Sequence, residues 1–166
     1  SHFTKSRHVG VVATPGTVSS HSYATEIGKL FPEVTVEEQA CPMWVPLVEY
    51  GESASDGADY FVQKYTSELM QRDPEIDTVI LGCTHYPLLR SKIRAALPES
   101  IKLISQGELV ATSLADYLLR HPEMEHRLSQ GGEISYRTTE CPEKFEELAS
   151  IFTGTDVRAS RVKISG

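Results

Sequence analysis

Up to about residue 106 the hydrophobic positions alternate between short continuous runs and stripes at helical spacing. Val9-Gly-Val-Val-Ala13 is β-branched, apolar throughout and followed by a turn, the pattern of a buried strand. Thr14-Pro15-Gly16-Thr17 then punctuates the chain. Tyr23, Ile27, Leu30 and Phe31 recur at helical spacing until Pro32 ends the run. Val34-Thr-Val36 reads as a second strand running towards Cys41-Pro42. Ala54, Ala58, Phe61, Val62, Tyr65 and Leu69 form one stripe of an amphipathic helix predicted over 53–72, closed by Asp73-Pro74. Thr78-Val-Ile-Leu81 is a third strand, of the apolar kind found in parallel sheets covered on both faces. Gly82-Cys83-Thr84-His85-Tyr86 turns into a helix predicted to start at Pro87, with Leu89, Ile93 and Leu97 on its buried side. Ile101-Lys-Leu-Ile104 is a fourth strand. Strands alternating with helices in this way predict an α/β fold, a three-layer parallel sheet with flanking helices.

Beyond residue 106 the pattern changes. Val110, Leu114, Tyr117 and Leu118 predict a helix, and His121 to Glu133 reads as a polar loop. Ile134-Ser-Tyr-Arg-Thr138 has strand character, and Phe145, Leu148 and Phe152 lie on one side of a last helix. This tail has little parallel-sheet signal of its own, so its apolar stripes are expected to pack against something else. The organisation that follows is an α/β domain over 9–106 and a separate segment over 107–166.

Composition narrows the class. The chain has 166 residues, 40% of them hydrophobic, which is enough for a real core and too many for a disordered chain. A net charge of −7 argues against a nucleic-acid surface, which needs clustered Lys and Arg. No apolar run approaches the roughly 20 residues that span a bilayer. The polar start SHFTKSRH has no signal-peptide pattern, and the absence of an initiator Met suggests a processed or trimmed chain. Cys41, Cys83 and Cys141 are odd in number and form no C-x-x-C pair, unlike a disulfide framework or a zinc site. The expectation is a reduced, cytoplasmic enzyme with no metal, nucleic-acid or membrane partner.

The strongest chemistry lies in Gly82-Cys83-Thr84-His85. Ligands of open α/β sheets bind beyond the carboxyl ends of the strands. Cys83 falls at such an end, directly before a helix whose dipole and free N–H groups favour an anion. The Thr84 hydroxyl and those N–H groups can hold a carboxylate, and His85 can relay a proton or tune the thiol. The alternative is a buried structural cysteine beside a capping Thr, and the Thr-His pair weighs towards function. Thr14 and Thr17 occupy the same kind of site after the first strand, where two hydroxyls suit a small anion. An ordinary turn with Thr17 as N-cap explains them equally well. Glu49 follows a hydrophobic stretch holding the only Trp, Trp44, and such a carboxylate can be half-buried and aimed at a site. Cys41 and Cys141 read as small packing residues. His2, His8, His21, His121 and His126 show no partner pattern and read as surface residues.

Taken together these segments resemble the bacterial glutamate racemase family. Val79-Ile-Leu-Gly-Cys-Thr-His-Tyr-Pro-Leu-Leu89 is similar to the signature of that family's second half. Val9-Gly-Val-Val-Ala-Thr-Pro-Gly-Thr-Val18 resembles its strand and threonine loop. Ala40-Cys-Pro-Met-Trp-Val-Pro-Leu-Val-Glu49 resembles its Ala-Cys-Pro segment, and Phe145-Glu-Glu-Leu-Ala149 its last helix. The resemblance implies two similar α/β domains with the active site between them, two cysteines and no cofactor. One cysteine removes the α-proton of glutamate, and the other delivers a proton to the opposite face, yielding D-glutamate for peptidoglycan synthesis. By the same resemblance Cys83 is the second of these bases, assisted by His85 and supported by Glu49. Thr84, His85, Thr14 and Thr17 contact substrate. The family's Asp-Ser pair, Pro-Tyr-Gly loop and Ala-Cys-Asn-Thr motif are absent. The expected partners are therefore glutamate, the missing N-terminal half of the same enzyme and further copies in a homo-oligomer, with the chain alone inactive. Residues 107–166 would complete the missing first domain.

Three other readings compete. An aspartate racemase relative would share the chemistry, but typically carries an acidic residue where His85 stands. A cysteine phosphatase needs a Cys-x5-Arg loop, and Arg90 is one position too far from Cys83. A non-catalytic module that binds a carboxylate ligand would have an ordinary thiol at Cys83.

Overall fold

The computed structural model describes residues 3–164, which fall into two compact units divided after Thr112. His2 lies outside the described residues. In the first unit the four predicted strands form β1 (His8–Ala13), β2 (Thr35–Ala40), β3 (Thr78–Leu81) and β4 (Lys102–Ser105), with β2 extending past Val36 through Glu37, Glu38 and Gln39. They make one parallel sheet in the order β2-β1-β3-β4. This is the predicted α/β architecture. Because the chain builds β2 on one side of β1 and β3 on the other, a topological switch point lies between the carboxyl ends of β1 and β3.

Alternation along the strands divides the core into two layers. Val9, Val11 and Ala13 point to one face, against Val18, Tyr23 and Val36. Val12, Val79 and Leu81 point to the other, against Trp44, Val62, Leu69, Leu89 and Ile93. The first face carries α1 (Pro15–Ser19) and α2 (Ser22–Leu30). The second carries α3 (Trp44–Glu49), α4 (Asp56–Arg72) and α5 (Arg90–Ala96). The side chain of Ser55 caps α4 by accepting the Ala58 N–H, and Asp56 and Asp59 complement the dipole in the first turn. Ala54 therefore lies outside the helix and is exposed, not part of the predicted stripe.

The remaining differences have local causes. α3 was not predicted, because Pro46 interrupts its hydrophobic stretch; at the third helical position it removes an N–H that has no partner anyway. The helix expected at Pro87 is a 3₁₀ turn over Tyr86–Leu89, followed by α5. Proline suits that first turn, while the buried Tyr86 and Leu89 fix its tight winding. α6 (Gln106–Arg120) follows β4 directly, and Val110 and Leu114 on it are 63% and 55% exposed. The second unit holds a short α7 (Pro122–Glu125) inside the predicted loop, β5 (Tyr136–Thr138), α8 (Pro142–Thr153) and β6 (Ala159–Arg161). β5 and β6 pair in parallel, a pairing the sequence did not suggest because Ala159-Ser-Arg161 has no apolar run. Val157 is buried in this unit, and the Ala159 N–H donates to Glu146 Oε1 at 2.8 Å. No helix among the described residues is long and apolar enough to cross a membrane.

Several histidines that the sequence left without partners have them. His21 Nδ1 lies 2.9 Å from Glu38, and His121 Nδ1 lies 3.0 Å from Glu123. His8, at the start of β1, sits between Asp73 Oδ2 at 2.7 Å and Glu75 Oε2 at 3.1 Å. The hydrogen bond to Asp73 raises the His8 pKa above its ordinary 6.5, with Asp73, Glu75 and Asp77 adding favourable charge against a smaller burial cost. Nearby, burial opposes ionisation of Asp77, but the Thr4 side chain and the N–H groups of Ser6 and Lys5 hold it well below the usual carboxylate range.

The His8 cluster predicts a pH dependence of stability. The native state keeps the His8 proton to higher pH than the unfolded chain. Its contribution is complete below the unfolded value of about 6.5 and is lost as pH rises through the folded value. The urea midpoint should therefore fall as pH rises above about 6.5, and His8→Gln should flatten that slope. An equal slope in the variant would assign the effect elsewhere.

Candidate active site

The predicted site residues gather at the carboxyl edge of the sheet. Gly82 ends β3 by donating its N–H to the Val12 carbonyl at 2.8 Å, which brings the β3 exit beside the β1 exit. A side chain here would be crowded: a Cβ on Gly82 would lie 3.0 Å from the Val12 oxygen, 3.1 Å from Ala13 Cβ and 3.2 Å from Tyr23 Cε2. Cys83 follows, half-buried. The turn that carries it is staked by Tyr86, whose fully buried ring meets Trp44 edge-on, with centroids 4.8 Å apart. The Tyr86 hydroxyl donates to the Cys41 carbonyl at 3.4 Å, and the Trp44 indole N–H donates to the Phe61 carbonyl at 3.3 Å.

This anchoring joins Cys83 and His85, two positions apart, to Glu49 from 36 residues earlier. Cys83 Sγ lies 3.8 Å from His85 Nδ1, and His85 Nε2 lies 3.1 Å from Glu49 Oε1. Glu49 is the last residue of α3, and its side chain is 49% exposed, at the rim of the site rather than under it. A carboxylate that accepts the Nε2 proton leaves Nδ1 of a neutral ring as an acceptor towards the thiol. The arrangement can therefore move a proton between Cys83 and His85.

Thr84 is exposed beside them and, with Cys83, lines a cavity of about 160 Å³ whose far wall is Ser105, Gln106 and Gly107. The sequence reading missed these last three. The rule that picked out Cys83, ligands beyond strand ends, points to them when it is applied to the fourth strand. Thr14 and Thr17 are engaged with one another: Thr14, not Thr17, is the N-cap of α1. Its Oγ1 lies 3.0 Å from that of Thr17 and accepts the Thr17 N–H.

The other two cysteines differ sharply. Cys41 is buried and burial pushes its thiol pKa well up. Cys141 is exposed rather than packed, and its thiol donates to Glu143 at 2.7 Å, which lowers the Glu143 pKa. Arg90, the residue on which a phosphatase reading would rest, is exposed at the start of α5.

Comparison with known proteins follows the same lines. The Asp/Glu/Hydantoin racemase family model matches residues 2–114. The glutamate racemase of Geobacter metallireducens is 38% identical over 151 residues, which cover 91% of this chain and 55% of that protein. A glutamate racemase isoform from Bacillus anthracis superposes with a TM-score of 0.82 at 31% identity, over 97% of this chain and 59% of its own. The glutamate racemase of Francisella tularensis, solved in complex with D-glutamate, gives 0.81 at 28% identity, over 96% and 58%. The chain thus spans about half the length of the curated relatives it matches.

Two outcomes are expected from this geometry. Brief alkylation followed by peptide mass spectrometry should label Cys83 and Cys141 in the native chain and leave Cys41 unlabelled until denaturant is added. Gly82→Ala should lower unfolding free energy by about 1–3 kcal/mol, because the neighbours of the missing Cβ include backbone. Chemical denaturation measures this loss, and an unchanged midpoint would mean that the β1 and β3 exits can part freely.

Proposed function

The chain belongs to the Asp/Glu/hydantoin racemase family, and from that footing we propose that it forms part of a glutamate racemase interconverting L- and D-glutamate without a cofactor. The observation that carries the proposal is the run of contacts from Glu49 through His85 to Cys83 at the switch-point edge of the sheet. Inverting an α-carbon needs a base on one face and an acid on the other. Cys83 supplies one of these groups. His85 Nδ1 accepts the thiol proton, and Glu49 holds the ring so that Nδ1 faces sulfur. The thiolate then takes the α-proton of glutamate, while a second group, across the substrate, returns a proton to the opposite face. In the reverse direction the Cys83 thiol is the donor. Thr84 and the neighbouring N–H groups hold a substrate carboxylate in the adjoining cavity, and Thr14 and Thr17, beyond the end of β1, contact the same substrate.

The second group is assigned to the part of the enzyme this chain lacks. Cys41 is the other cysteine near the site, and its burial makes a thiolate there costly. On this reading residues 9–106 are the cysteine-bearing domain. Residues 107–166 complete a second domain, which agrees with the exposed apolar positions Val110 and Leu114 along α6.

The chain alone should therefore show no conversion of L- to D-glutamate, and mixing it with the complementary half should restore conversion and α-proton exchange into D2O. In the complete enzyme Cys83→Ser should lower kcat by at least about 100-fold. Thr84→Val should cost roughly 1.5–3 kcal/mol in kcat/KM, the value of a hydrogen bond to a charged group. Full racemisation by the chain alone would sink the two-group assignment and return Cys41 to consideration.

A further inference from the structure

Tyr23, on α2, touches the site from below at two points. Its ring is seated against Gly82, close enough that a Cβ there would come within 3.2 Å of Cε2. Its hydroxyl accepts a hydrogen bond from Gln106 Nε2, a partner 83 positions away in sequence. Gln106 is the first residue of α6, directly after the end of β4. Its side chain borders two cavities. One is the 160 Å³ space beside Cys83 and Thr84. The other is a groove of about 550 Å³ on the α2 face of the sheet, lined by Tyr23, Ile27, Ile80 and Ile104 among others.

These facts give Tyr23 more to do than fill the core. Its ring packs against the apolar cluster of Val9, Val11 and Ala13 on β1. A half-buried tyrosine normally turns its hydroxyl to water, whereas here the hydroxyl ties down an amide that would otherwise swing at a helix start. With Nε2 committed to Tyr23, the Gln106 amide has one orientation where it lines both the cavity beside Cys83 and the groove on the α2 face. The ring under Gly82 meanwhile sets the height at which the chain leaves β3, one residue before Cys83.

We propose that Tyr23 is a positioning residue for the Cys83 site, its ring setting the level of Gly82-Cys83 and its hydroxyl holding Gln106 as the wall of the adjoining cavity. The inference rests on the reading that this cavity receives the substrate. The two parts of the side chain then have separable effects. The hydroxyl acts on how tightly the cavity holds its ligand, and the ring acts on where the sulfur stands.

The test uses the complete enzyme for kinetics and the 166-residue chain for thiol chemistry. Tyr23→Phe keeps the ring and Gln106→Met keeps the volume, so both variants retain the packing of the fold. Each should raise KM for L-glutamate roughly three- to tenfold with kcat changed less than about twofold. The double variant should be no worse than the poorer single one, since both remove the same bond. Tyr23→Leu removes the ring and should lower kcat as well. In the chain alone it should change the alkylation rate of Cys83 relative to Cys141 several-fold, while Tyr23→Phe leaves that ratio near its starting value. Additive KM effects, or an unchanged Cys83 to Cys141 ratio in a folded Tyr23→Leu chain, would overturn the proposal. If the complete enzyme racemises nothing, the functional reading fails, and the alkylation ratio still decides whether Tyr23 positions Cys83.

Discussion

The burial of Tyr86 against Trp44 is the contact on which the site depends. Tyr86 comes three residues after Cys83, Trp44 opens the helix that ends at Glu49, and the carbonyl that accepts the Tyr86 hydroxyl belongs to Cys41 at the exit of β2. One aromatic pair thus fixes three chain segments to each other. Edge-on aromatic pairs contribute about 0.5–1.5 kcal/mol beyond their buried area. Here the pair also places a carboxylate, an imidazole and a thiol in line, two of them from neighbouring positions and one from 36 residues earlier. The tight 3₁₀ winding after His85 follows from the same burial, because Tyr86 and Leu89 must both reach the core from a single turn.

The sheet supplies the other constraint. Parallel strands leave their functional ends on one edge, and the reversal of direction at β1 opens a crevice between β1 and β3. Gly82 lets the two exits approach to backbone contact, so Cys83 emerges at the crevice itself rather than above it. A larger residue at this point would move the thiol away from His85. The fold and the chemistry therefore meet in one glycine and one tyrosine.

Much of this was legible in the chain. The edge strand β2 was marked only by Val34-Thr-Val36 and runs on through the polar Glu37, Glu38 and Gln39, but the central strands β1 and β3 are apolar runs, which parallel pairing demands where both faces are covered. The Cys-Thr-His cluster was legible because it stands directly after one of them. What escaped was set by longer-range physics. The approach of Glu49 to His85 is made by tertiary packing, and no spacing encodes it; the family resemblance alone joined the two. The α3 helix was hidden by Pro46, whose cost disappears only when it falls in a first turn. Thr14 and Thr17 offer the same hydroxyl, which is why the sequence pointed to Thr17 as N-cap where Thr14 takes that place. Gln106 was overlooked because nothing apolar or reactive marks it, although it follows a strand end, as Cys83 does. In the second unit, β6 is three residues without a hydrophobic run and exists only through pairing with β5.

The aromatic anchor also has an optical consequence. Trp44 is the only tryptophan in the chain, and its indole is buried edge-on to the side chain that seats the Cys83 turn. Its emission wavelength and quenching therefore report the environment of that turn without any introduced label. A shift to the red would signal water reaching the indole as Tyr86 leaves its seat, and iodide quenching would measure how often it does so. The molecule thus carries its own gauge of whether thiol, imidazole and carboxylate are assembled, readable in real time during refolding or ligand addition.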